Sequence, residues 1–113
     1  MSARNQLLTA PPYPVEQTLQ RLGANLRTAR LRRNLTLADV AAKIGVHKQT
    51  VADAEKGKPS TGIAVYAAML WSLDLLDQMA DVAAPERDGE GQTLALARER
   101  GRARPRRALS NDF

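Results

Sequence analysis

The chain has 113 residues with 17 Lys and Arg against 12 Asp and Glu, a length that suits one compact domain with tails rather than two domains. With no Cys and one His, disulfides, thiolate zinc sites, a cysteine nucleophile and an imidazole metal cluster are excluded, and no cofactor is expected. No stretch approaches the roughly 18 apolar residues of a membrane span, and the opening MSARNQLLTAPPYP lacks the apolar run of a signal peptide. A cytoplasmic chain without membrane contact is therefore expected. The net charge of +5 favours a polyanionic partner.

Charge is unevenly placed. Residues 1–34 carry six Arg and one Glu, residues 35–85 four Lys and six acids, and residues 86–113 seven Arg and five acids. The middle block thus owes any nucleic-acid affinity to a few placed residues.

Pro11, Pro12 and Pro14 are expected to keep residues 1–13 out of helix as a flexible arm, since each ring removes a donor and disfavours helical geometry in the preceding residue. From Val15, the spacing of Leu19, Leu22, Leu26 and Ala29 predicts a first amphipathic helix ending near Arg33. Thr36 is a good N-cap with Asp39 at the capping-box position, which predicts a second helix from Leu37 to Lys43 with Val40, Ala41 and Ile44 inward. Gly45 should stop it in the left-handed conformation, and Val46 leads into a third helix from about His47 to Glu55. In that helix Val51 and Ala54 face the core, leaving Lys48, Gln49, Ala52, Asp53 and Lys56 as an exposed stripe. Lys56-Gly57-Lys58-Pro59 ends it.

Ser60 or Thr61 is expected to cap a fourth helix with Ile63, Ala67, Leu70 and Trp71 on one face. Asp74 marks a joint, and Leu75, Leu76, Met79 and Val82 continue as a short fifth. Residues 14–84 form the expected all-α domain. After Pro85 too few bulky apolar residues remain to offset ordering entropy, so residues 85–113 are expected as a basic, disordered tail. Arg98, Arg100, Arg102, Arg104, Arg106 and Arg107 against Glu99 and Asp112 give the last sixteen residues a charge of +4, and the terminal Phe113 is the only Phe. No Ser/His/acid set, Gly-rich phosphate loop or metal-ligand cluster is present, so no catalysis is expected.

The run from Thr36 to Gly57, with its capped short helix, small Ala41, Gly45-Val46 turn, apolar Val51 and Glu55-x-Gly57 ending, resembles the helix-turn-helix of the phage-repressor-like (XRE) family. The resemblance implies a five-helix repressor-like fold that binds a palindromic double-stranded DNA operator as a homodimer. Carried over position by position, it makes Lys48, Gln49 and Asp53 base-edge candidates; their chemistries suit guanine, adenine and cytosine respectively. Thr36, His47, Lys56 and Lys58 are expected at phosphates. The family often has glutamine where this chain has Leu37, which removes a buttress for the reading residues. The resemblance also pairs Glu55 with Arg30 as a partly buried structural pair. Residues 62–81, especially Leu73 to Met79, look like the HipB-type antitoxins, which repress their own operon and bind a HipA-like Ser/Thr kinase toxin. Leu75, Leu76 and Met79 are the expected dimer contacts, because so small a domain has little to cover them. A stand-alone XRE-type regulator and a protein-only adaptor with the same fold are the alternatives.

Overall fold

The computed structural model describes residues 6–111, with side chains described through Arg102. Every described element is a helix or a turn, and two compact units divide between Asp77 and Gln78.

The first unit begins with α1 (Gln6–Thr9), a single turn closed by the Ala10 N–H donating to Gln6 O at 2.7 Å. Helix α2 (Tyr13–Arg32) follows, with Pro14 in its first turn, where the missing N–H has no helical partner to lose. The segment 1–13, expected as an arm, thus holds α1 and the first residue of α2, while residues 1–5 lie outside the described residues.

Helix α3 (Leu37–Ile44) starts on a complete capping box: the Asp39 N–H donates to Thr36 Oγ1 at 3.0 Å and the Thr36 N–H to Asp39 Oδ2 at 2.8 Å. Donation from the Thr36 N–H first, and from the Thr36 side chain second, holds the Asp39 carboxyl below the usual carboxylate range. Gly45 ends the helix at φ 79°, a conformation glycine adopts without steric cost. After Val46, His47 caps α4 (Lys48–Glu55) through its backbone alone.

Helix α4 packs against α2, α3 and α5, and Val51 and Ala54 on its inner side are completely buried. They join Leu26, Val40, Ala41, Tyr66, Met69, Leu70 and Leu73 in one core, where each large aliphatic side chain contributes about 1.5–3 kcal/mol. Two glycines let the chains touch. A Cβ on Gly23 of α2 would lie 2.4 Å from Glu55 O and 2.6 Å from Ala54 O. One on Gly57, at φ 74°, would meet the Gln20 backbone at 2.6 Å. The end of α4 therefore sits directly on the α2 backbone.

Helix α5 (Ile63–Ser72) departs from expectation at its cap and on its face. Gly62 is the N-cap, because the Thr61 N–H donates to Lys58 O at 3.0 Å and draws Ser60 and Thr61 into a preceding turn. Its buried residues are Tyr66, Met69, Leu70 and Ser72, whereas Ile63 and Trp71 are 69 % and 53 % exposed. With nearly every residue of α5 apolar, periodicity carries no facial information, and packing on α3 and α4 selects the face. The Trp71 ring instead lies under the Lys43 ammonium, 5.4 Å from its centroid.

Asp74 forms the expected joint at φ 62°. Beyond it runs a 3₁₀ helix, Leu76–Asp81, in place of a fifth α-helix, with Val82 72 % exposed. Leu75 and Leu76 close the first unit while Met79 belongs to the second; Leu76 is exposed and the other two are half-buried.

The second unit continues through a 3₁₀ turn, Pro85–Arg87, into α6 (Gly89–Asn111). This corrects the expectation of disorder after residue 85. Asp88 Oδ1 accepts from the Gly91 N–H at 3.0 Å, and the strong helix formers Leu, Ala, Arg and Glu fill residues 94–100, so propensity and a cap supply what an apolar core does not. Phe113 lies outside the described residues.

Candidate nucleic-acid interface

The side of α4 away from the core carries the residues expected at base edges. Lys48 and Gln49 on its first turn are exposed, as is Lys56 at its end, while Ala52 and Asp53 between them are half-buried. Gln49 and Asp53 are bonded to each other: Gln49 Nε2 donates to Asp53 Oδ1 at 2.8 Å. Lys58, beyond the helix end, reaches back so that its Nζ lies 3.2 Å from the same oxygen. The Gln49 bond first, and the Lys58 contact second, hold the Asp53 carboxyl below the usual carboxylate range, so it stays ionised.

The residues expected at phosphates flank this stripe. Thr36 and His47 are both exposed, at the starts of α3 and α4. The Thr36 oxygen accepts from the Asp39 N–H, and its hydroxyl also lies against the Asp39 carboxyl. His47 makes no side-chain cap bond, so the first N–H groups of α4 receive no acceptor from it and can take an anion. Lys56 is exposed; Lys58 divides its reach between solvent and Asp53. Leu37 is half-buried and offers no polar group.

Beneath the stripe, Arg30 and Glu55 meet in a two-pronged pair, Nε to Oε2 at 2.7 Å and Nη2 to Oε1 at 2.9 Å, with 8 % and 6 % of the side chains accessible. The remaining prong, Nη1, donates to Leu35 O at 2.9 Å. Hydrogen bonding to Glu55 raises the already high Arg30 pKa. One guanidinium thus ties the end of α2 to the loop before α3 and to the end of α4.

Two of these contacts carry a sequence signal of their own. The Gln49–Asp53 bond was foreshadowed by i, i+4 spacing on an exposed helix face. The α2–α4 contact at Gly23 was foreshadowed by a glycine inside an otherwise strong helix.

Residues 21–83, more than half of the chain, match the family model described as a helix-turn-helix domain, of the XRE-like type. No curated protein matches the chain. Among the described residues, no helix is long and apolar enough to cross a membrane.

Proposed function

The chain belongs to this helix-turn-helix domain family, and from that premise we propose that it is a transcriptional regulator that places the exposed stripe of α4 in the major groove of its operator. The observation that carries the reading is the seating of α4. Three helices and the Arg30–Glu55 pair fix it, while Lys48, Gln49 and Lys56 stay open to solvent. A rigid helix with a polar, partly basic outer side can hold base-reading groups in register. Lys48 and Gln49 are the base readers; Thr36, His47, Lys56 and Lys58 take phosphates.

The regulator acts as a repressor in dimeric form, with Leu75, Leu76 and Met79 contributing to the contact, so its operator is a palindrome with half-sites about one helical turn, roughly 34 Å, apart. The likeness of Leu73 to Met79 and of the arginine-rich end to HipB-type antitoxins extends the proposal: the same dimer represses its own operon and holds a HipA-like kinase toxin.

Selection from a pool of random duplexes tests the reading. The expected product is a palindrome, on which Gln49→Ala costs about 1–3 kcal/mol at one base pair of each half-site. Lys56→Ala should instead weaken all duplexes alike and lower the salt slope by about one per site. A pool that never enriches a sequence leaves a protein-only adaptor as the better account.

A further inference from the structure

We propose that Asp53 is a positioning residue that fixes the orientation of the Gln49 amide, and through it the base that α4 prefers, without touching a base itself. This rests on the reading of α4 as the DNA-facing helix.

The argument begins with the chemistry of the pair. An ionised carboxylate only accepts hydrogen bonds, and the Gln49 amide has one end that donates and one that accepts. At 2.8 Å from Asp53 Oδ1 the amide must therefore present its NH₂ group. The flipped amide would set Oε1 against a charged oxygen at the same distance. One N–H is thereby committed to Asp53, and the other N–H and Oε1 remain for a partner. That leaves a donor beside an acceptor, the pattern complementary to adenine N7 and its N6 amino group in the major groove. Guanine offers only the acceptors O6 and N7, so the Oε1 held beside the remaining N–H meets no donor there, whereas a freely rotating glutamine can turn both N–H groups toward them.

The second contact explains how a carboxylate is tolerated at this surface. An unpaired Asp near the sugar–phosphate backbone repels it, but Lys58 Nζ lies 3.2 Å from the same Oδ1 and offsets the charge where the carboxylate holds Gln49. Asp53 is also the more enclosed of these two partners, with 28 % of its side chain accessible against 50 % for Lys58. Two donors already converge on Oδ1, so a cytosine amino group must compete for that oxygen. The three side chains form a chain of control from the segment after α4 to its first turn: Lys58 steadies Asp53, and Asp53 orients Gln49.

The experiment uses the full chain and the duplex enriched by wild-type selection, with each base substituted in turn at the pair whose preference Gln49→Ala relaxes. Asp53→Ala should lower the preference for adenine over guanine at that same base pair by about fivefold, the worth of the one further hydrogen bond that the freed amide can make at guanine. Affinity for a random duplex should be unchanged or higher, since a negative charge has been removed. Asp53→Asn should restore the preference only in part, because its amide oxygen can accept from Gln49 Nε2 as the carboxylate does while its NH₂ can also donate to a flipped Gln49 Oε1. A relaxed preference at a different base pair would make Asp53 a direct reader and overturn the proposal. So would an unmoved profile in Asp53→Ala while Gln49→Ala still has its effect. A flat profile in Gln49→Ala overturns the α4 reading, and this proposal falls with it.

Discussion

Replacing Arg30 with Ala should cost about 3–5 kcal/mol, the range for breaking a buried ion pair by deleting one partner. Its magnitude comes from what is left behind. Glu55 is 6 % accessible and would be left buried with no guanidinium to accept from, and Leu35 O would lose its donor from Nη1 as well. Desolvation offsets much of the attraction in the intact pair, so the pair adds little beyond what apolar side chains of the same volume would give; losing half of it is the expensive step. Small domains have total stabilities near the low end of about 5–15 kcal/mol. A shift of that size lowers the melting temperature by roughly 15 °C or more. Arg30→Lys should recover only part of this, because an ammonium cannot make both parallel bonds. Thermal melts of Arg30→Ala, Glu55→Gln and the double variant check the claim: the double should be less destabilised than the sum of the singles, and additive losses would mean that the two side chains do not interact.

Gly23→Ala sets two effects against each other. In an unpacked helix the change would stabilise by about 1 kcal/mol through helix propensity. Here the new Cβ would meet Glu55 O at 2.4 Å and Ala54 O at 2.6 Å, both backbone atoms at the end of α4 that cannot rotate aside. Relief requires α4 to move away from α2, and overpacking of this kind costs about 1–3 kcal/mol. The clash should win, lowering the denaturant midpoint, and, because the displaced element is the helix proposed to enter the groove, affinity for the enriched duplex should fall further than stability alone accounts for. A raised midpoint would mean that the α2–α4 seam is looser than the Gly23 contacts imply. Ala24→Gly at the exposed neighbouring position isolates the propensity contribution.

Legibility in the sequence followed the range of the interactions involved. The Thr36–Asp39 capping box and the left-handed Gly45 were readable because each is decided within four residues, and the run from Thr36 to Gly57 carried the family. Arg30 and Glu55 stand 25 positions apart, and only the family resemblance brought them together. Gly23 stood out only as a glycine inside a helix; its partner, the backbone at the end of α4, was out of reach for the same reason. Periodicity misled at α5, whose inner face is chosen by α3 and α4, so that Trp71 lies outward under Lys43. After residue 85 the composition argued against a core, and helix propensity with the Asp88 cap still produced α6. At the interface, the chemistry of Gln49, Asp53 and Lys58 was legible residue by residue, but not that one carboxylate oxygen joins all three.

Backbone amide chemical shifts recorded while the enriched duplex is titrated into the isotopically labelled chain locate the surface that meets DNA. The largest changes are expected at Thr36, at His47, Lys48 and Gln49, and at Asp53 and Lys56, with the buried Val51 and Ala54 amides moving little. Changes confined to α5 or α6, with α4 unmoved at saturation, would contradict the reading of α4 as the DNA-facing helix.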